Sequence, residues 1–370
     1  MAEHRETEEK LFAYWLCSLP EMYSKKIEKL LEYFGSCSAV FHAKRCQLAQ
    51  IENIGNSDID RLLMDKKTEM IQNDYEEMKK QGIHFVYREE EEFPEKLKMI
   101  PDAPFGLFYK GKLPNPEKPS VAVVGARKAT AAGRRIAERF GYELAANGVQ
   151  VISGMALGID IFSQKGAMQW KTGHTYAVLG TGVDVCYPRS HIEMYMRMQG
   201  NGGVISEFPP GTPALPFHFP IRNRIISGLS DGVLVIEARK RSGSLITAEC
   251  GLEQGKEIFV VPGGISDPQY EGGNALLKSG AVLVTEVKDI LDGLGIYLDM
   301  DLIERKKKTN IMLETTEKMV YAILSLEPIH ISTLSREVRI EPAKLMEILL
   351  SLQKKGAVEM VGNNYFIVKI

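Results

Sequence analysis

Long apolar runs are missing from this 370-residue chain. No window approaches the ~20 consecutive apolar residues a membrane-spanning helix needs, and the opening MAEHRETEEK has no signal-peptide core, so the expectation is a cytoplasmic protein with no membrane partner. Cysteine is scarce: five residues (Cys17, Cys37, Cys46, Cys186, Cys250), an odd number without CxxC spacing. That pattern excludes a disulfide framework and a zinc knuckle, and predicts reduced, packed thiols and no bound metal. Charge of one sign is also lacking. A net charge of −2 argues against a protein that coats duplex DNA by electrostatics alone. No GxxxxGK[ST] occurs, which removes a P-loop. What remains is a globular composition, 44% hydrophobic and 25% charged, at a length that holds roughly two or three domains.

The kind of base varies along the chain. Residues 119–296 hold 10 of the 17 arginines but only 7 of the 29 lysines. Arginine is favoured where a planar fork grips phosphate or stacks on a base, so this block is where an anionic ligand is expected.

Residues 7–80 read as short amphipathic helices without strands, predicting a small helical domain over 1–82 of the SAM or helix-hairpin-helix kind. Within it, Asn53-Ile54-Gly55-Asn56 between two helical stretches resembles a turn that cups DNA phosphate with backbone amides; a packing role and direct DNA contact are both open for it. Five prolines from Pro101 to Pro119 follow the acidic run at 89–92. From Val121 apolar strands alternate with helical patterns: VAVVG, VQVISG, TYAVLG, GVISEF, GVLVIEA, EIFVVPG and AVLVTE. Such alternation predicts a parallel sheet covered on both faces, an extended Rossmann-like domain over 83–296 that includes the lead-in segment. ERKKKTN at 304–310 marks a linker, 297–311. In 312–370 three helical stripes, the third opening on Pro342, precede a hairpin turning at Gly362-Asn363-Asn364, which is a winged-helix pattern. The fold class is therefore α/β, with the Rossmann-like domain flanked by a helical front and a winged-helix tail.

Ligands of an open parallel sheet bind outside the carboxyl ends of its strands. The strand ending in Gly125 delivers Arg127 and Lys128 there, but the dinucleotide fingerprint fails: Arg127 stands at the second glycine position, and the next strand ends in Ser153-Gly154 rather than in an acid. No nucleotide cofactor is expected. An isolated phosphate suits the turn better, held by backbone amides and the helix dipole. Other strands deliver Gly154, Asp160, Asp184, Glu207, Lys240, Arg241 and Gly243. FHFPIRNRIISGLS (217–230) adds Phe219, Arg222, Asn223 and Arg224. Arginines that hold phosphates beside rings that stack on bases are the ingredients of a single-strand groove. Arg222 and Arg224 have a structural alternative, pairing with Asp160, Asp184 or Glu207. Those three carboxylates are expected to anchor loops or orient arginines, because no nucleophile, metal cluster or well-placed histidine accompanies them; no catalytic residue is assigned.

At these residues the chain resembles the bacterial DNA processing protein A family, also called the Smf family. The resemblance rests on VVGARKATAAG (123–133), SGMALGID (153–160), LGTGVDVCYPRSH (179–191), SEFPPGTP (206–213), FPIRNRIISGLS (219–230), EARKRSGSLITAE (237–249), VPGG (261–264) and GGNALLKSGA (272–281). It implies a protein without catalytic turnover that binds and protects incoming single-stranded DNA during natural transformation. It also implies loading of the RecA recombinase and self-association as a homodimer through the Rossmann-like domain. The basic family positions fall on Arg127, Arg222, Arg224 and Arg241, with Lys240 beside them. The chain departs from the family pattern at Ala126, Ala132-Gly133 and Gln164, where serine, a Tyr-Gly pair and histidine are usual.

Two other classes share features with this sequence. A phosphoribohydrolase-like enzyme shares a proline-glycine-glycine loop, but Pro262-Gly263-Gly264 continues into Ile265-Ser266-Asp267 and breaks the pattern, although Glu249 does stand early in a helix. A duplex-binding regulator would act through 310–370. There the third helix sets Lys344, Lys354 and Lys355 against Glu341 and Glu347, a poor surface for reading base edges.

Overall fold

The computed structural model describes residues 2–64, 66–296, 314–325 and 328–368, with side chains from residue 8. The expected linker at 297–311, with its basic run, lies outside the described residues. The chain divides into two units, 1–296 and 297–370.

The first unit opens with six helices, α1 (Ala2–Ser18), α2 (Ser24–Phe34), α3 (Cys37–His42), α4 (Arg45–Leu48), α5 (Asn56–Leu63) and α6 (Thr68–Lys80). An aromatic core binds them: Phe12 stacks on Phe41 at 4.3 Å, and Tyr14 sets its edge against Phe85 and Phe108. The last two rings belong to β1 (His84–Tyr87) and β2 (Gly106–Gly111), so the helical front is packed onto the edge of the sheet. The segment between those strands carries the short α7 (Glu95–Lys98), and the proline-rich stretch does not interrupt the unit. The Gly55 turn is closed by the chain itself: the Asp58 carboxylate accepts the Gly55 N–H at 3.2 Å and pairs with Lys26 at 2.7 Å, filling the place a phosphate would need.

Seven further strands complete the sheet: β3 (Ser120–Gly125), β4 (Gln150–Ser153), β5 (Thr175–Val178), β6 (Gly202–Ser206), β7 (Gly232–Ile236), β8 (Glu257–Val260) and β9 (Val282–Leu283). The order is β1-β2-β6-β5-β4-β3-β7-β8-β9. From β6 to β9 every pairing is parallel; β2 joins β6 antiparallel. The parallel strands β3 to β8 are rich in apolar residues and largely buried on both faces, as helical cover on each side requires, whereas the edge strand β9 is partly exposed. That cover consists of α8 (Ala131–Ala146), α9 (Ile159–Gln169), α10 (Ile192–Asn201), α11 (His218–Gly228), α12 (Gly243–Glu253), α13 (Glu271–Lys278) and α14 (Val287–Gly293). The chain runs from β3 outward to β6, returns, and continues from β7 to β9 on the other side, so the direction of winding reverses between β3 and β7.

The second unit holds α15 (Thr315–Ile323), α16 (Ile331–Val338), α17 (Pro342–Lys354) and a three-stranded antiparallel sheet, β10 (Ile329–His330), β11 (Val358–Met360) and β12 (Tyr365–Val368), in the order β10-β12-β11. The three helices and the hairpin stand where the sequence pattern puts them. β10, two residues pairing with β12, had no pattern of its own. Val320, Leu334, Leu345, Leu349, Leu352 and Phe366 form its core. Among the described residues no helix is long and apolar enough to cross a membrane.

Candidate nucleic-acid interface

Reversal of winding leaves a crevice between the loops that follow β3 and β7, because their helices depart to opposite sides. A cavity of about 560 Å³ lies there, lined by Gly125–Lys128 after β3, by Arg239 and Arg241–Ser244 after β7, and by Phe219, Arg222 and Asn223 of α11. Arg127, Lys128, Arg239 and Arg241 are exposed. Two guanidinium groups lie near the Phe219 ring, with the Arg127 carbon 5.5 Å and the Arg222 carbon 5.9 Å from its centre, and the Tyr187 ring is tilted against it at 5.5 Å. Cations flanking aromatic faces on an open rim are suited to phosphates with stacked bases.

Arg222 differs from its neighbours. It is 4% exposed and donates from Nη1 to the carbonyls of Gly154, at 3.0 Å, and Val178. Burial pulls its pKa down to about 10, against the attraction of Asp160. Asp160 is buried beside it and accepts the Gly154 N–H at 3.1 Å; burial holds its carboxyl above the usual range despite Arg222 and the Gly154 and Ala156 amides. Arg222 thus ties the ends of β4 and β5 to α11 while forming part of the cavity wall. Gly154 is glycine for the same reason, since a Cβ there would stand 2.6 Å from the Arg222 guanidinium. Gly125 likewise serves close packing, its missing Cβ leaving room for Ile159 and the Ile236 carbonyl.

Other expected site residues sit away from the cavity. Arg224, two positions along α11 from Arg222, faces the opposite way and pairs with Glu207 at 2.7 Å, both nearly buried. Glu207 also accepts the Ser24 hydroxyl at 2.6 Å, so this pair fastens α2 to the end of β6. Arg224 thus takes the structural alternative, pairing with Glu207, and its guanidinium is off the cavity lining. Lys240 is exposed, 3.8 Å from Glu271 and off the cavity lining. Asp184 accepts the Gly211 N–H at 2.8 Å, anchoring the loop after β6. Asn223 lines the cavity and donates to the Gly243 carbonyl at 3.2 Å. Gln164 is core, donating to the Tyr176 carbonyl at 3.0 Å, so this departure from the family pattern lies outside the cavity.

Arg239, which the sequence places after the strand around Val235 with Arg241 and Gly243, is a wall cation. Two further residues of the site were not legible as such in the sequence. Gln269 bridges the two loops, accepting from Arg239 Nε at 2.9 Å and donating to the Lys128 carbonyl at 3.0 Å. Glu237 ends β7 with a φ of +51°, a left-handed conformation that L-residues rarely hold. Its buried carboxylate accepts the Thr130 N–H at 2.9 Å, the Thr130 hydroxyl, and the Tyr270 hydroxyl at 3.3 Å. The signal available was an acid closing the otherwise apolar run GVLVI.

The family described as DNA recombination-mediator protein A matches residues 84–295. The chain belongs to this family. Protein Smf of Escherichia coli K12 is 45% identical over 216 residues, a span of 58% of each chain. DNA processing protein DprA of Streptococcus pneumoniae R6 is 44% identical over 199 residues, 54% of this chain and 70% of its own. The match thus covers little more than half of the Escherichia coli relative. Among solved structures, DNA processing protein A from Streptococcus pneumoniae superposes with a TM-score of 0.65 at 35% identity, covering 76% of this chain and 95% of that one. DNA processing protein A from Helicobacter pylori, whose structure addresses its single-stranded DNA binding mode, superposes with a TM-score of 0.52 at 27% identity, over 57% and 95%. The family region, 84–295, carries every wall of the cavity.

Proposed function

We propose that this protein binds single-stranded DNA in the cavity at the winding reversal, protects it, and loads the RecA recombinase onto it, without catalytic turnover. The observation that carries this reading is that four exposed bases (Arg127, Lys128, Arg239, Arg241) line one cavity together with the Phe219 and Tyr187 rings. Guanidinium groups grip the sugar-phosphate thread while rings accept any base, so affinity is tolerant of sequence. The Helicobacter pylori relative supports the choice of ligand. Self-association as a homodimer through the sheet-bearing unit, cytoplasmic residence and a role in natural transformation belong to the same reading.

An enzymatic alternative fits the cavity poorly. Glu249 is exposed and off its lining, and the Asp160 carboxylate is committed to Arg222 and backbone amides. Binding of labelled oligonucleotides tests the reading: single strands are retained in preference to duplex of the same length. Strand exchange by RecA on strands already covered by single-strand binding protein accelerates when the protein is added. An unchanged rate removes the loading role and leaves the binding role standing.

A further inference from the structure

Pairing between β3 and β7 ends at Gly125 and Ile236. Past that point the chain enters the two loops that carry Arg127 and Lys128 on one side and Arg239 and Arg241 on the other, and the backbone ladder no longer fixes the distance between them. A groove that grips one polyanion from two loops binds best when that distance is set in advance, because ordering loops on binding costs affinity.

The segment after β8, residues 261–270, supplies the fixing. It is a closed turn: the Asp267 N–H donates to the Gly264 carbonyl at 3.0 Å, while Asp267 accepts the Gln269 N–H on its carboxylate at 2.9 Å and the Tyr270 N–H on its carbonyl at 3.0 Å. Asn274 of α13 holds the start of the turn, donating to the Gly263 carbonyl at 3.1 Å, and the Tyr270 ring fills the space where Gly263 lacks a Cβ. From there the Tyr270 hydroxyl donates to Glu237 at 3.3 Å; burial and that carboxylate push the phenol up to about 12, so it stays a donor. Glu237, 2% exposed, accepts the Thr130 N–H beyond the β3 loop, and the Gly272 N–H donates to the Ala238 carbonyl in the β7 loop at 2.8 Å. The turn is thus anchored to both loops.

Gln269 stands on this turn and lines the cavity. Its amide takes one loop with each end: Nε2 donates to the Lys128 carbonyl at 3.0 Å, and Oε1 accepts from Arg239 Nε at 2.9 Å. Only a side chain with both a donor and an acceptor can join a carbonyl to a guanidinium; a carboxylate lacks the first and an ammonium the second. With Nε occupied, the plane of the Arg239 guanidinium is set and its terminal nitrogens are left for an anion.

We propose that Gln269 is a positioning residue of the single-strand groove: by joining the Lys128 carbonyl to the Arg239 guanidinium it sets the spacing of the two basic loops before DNA arrives. This role rests on the single-stranded DNA reading of the cavity. It acts through preorganisation and not through charge, which separates Gln269 from the bases it holds.

The test is the affinity of the full-length protein for an oligo-dT single strand as a function of salt. Wild type is compared with Gln269→Ala, Gln269→Met, Arg239→Ala and the double variant Gln269→Ala with Arg239→Ala, each folded at the assay temperature by its melting curve. Gln269→Ala and Gln269→Met, the latter of similar length without the amide, each lose roughly three- to tenfold in affinity with the log–log slope of wild type. Arg239→Ala loses affinity and its slope is shallower by about 0.7, one phosphate. The double variant binds within about twofold of Arg239→Ala, because a bridge with one end gone has nothing left to hold, whereas residues acting independently multiply their losses. Wild-type affinity in Gln269→Ala, its recovery in Gln269→Met, or multiplied losses in the double variant each overturn the bridge and leave the DNA reading intact. Wild type that binds no oligo-dT overturns the DNA reading and this role with it.

Discussion

Arg127 and Arg222 are the same residue type in the same cavity, and their surroundings divide the work between them. Arg127 is exposed above Phe219, whereas Arg222 is buried among carbonyls and beside Asp160. Arg127→Ala is therefore expected to weaken single-strand binding alike for every sequence, by roughly tenfold for a lost guanidinium-phosphate contact, while urea unfolding is unchanged. Arg222→Ala leaves Asp160 buried without its cation and costs about 3–5 kcal/mol in urea unfolding. A midpoint equal to wild type contradicts its assignment as a structural tie. The enrichment of arginine in this region was legible in the sequence. That Arg222 and Arg224 part company was not drawn from RNR, although neighbours two apart on a helix lie on nearly opposite faces. Glu237 escaped notice because its role depends on Thr130 and Tyr270, distant residues that only the fold brings to it.

Among the elements, strands with long apolar runs were readable and short ones were not. The buried parallel strands β3 to β8 each announce themselves, and Pro342 marks the first position of α17. β1 and β2 are hidden because four- and six-residue strands paired antiparallel at a covered edge carry little pattern of their own. In the second unit one carboxylate is held ionised by its partners. Glu317 accepts from Lys355 at 2.6 Å, the Glu314 N–H at 2.8 Å and the Ser351 hydroxyl at 2.7 Å, and these lower its pKa to about 2. A carboxyl depressed in the folded state stabilises above its unfolded value near 4.5 and loses that contribution as pH falls toward 2. The second unit is thus expected to loosen over that window, seen in the chemical shifts of Val320 and Phe366, whereas Glu317→Gln is less stable at pH 7 and flat through it. A wild type as insensitive as the variant contradicts the ion-pair account.

On the scale of the molecule, the cavity exists because the sheet winds outward twice from its middle. The sequence showed which residues follow which strand, and this was enough to collect Gly125, Arg127, Arg241 and Gly243 at one sheet edge. Strand order was not legible, since it depends on crossovers among strands of similar composition. Nor was the separation of Arg224 and Glu207 from the groove, which the packing of α11 and the helical front decides, or that of Lys240 beside Glu271 and Asp184 at the Gly211 loop. The helical front, fastened through Ser24 and Glu207, contributes no residue to the cavity lining.

The most direct measurement is the affinity for a single-stranded oligo-dT as a function of salt, by fluorescence anisotropy, for wild type and for Arg127→Ala combined with Arg241→Ala. Four exposed bases at about 0.7 per phosphate give a wild-type log–log slope near −3, and loss of two flattens it to about −1.5 with a large drop in affinity. A slope and affinity unmoved by the double substitution would contradict the account.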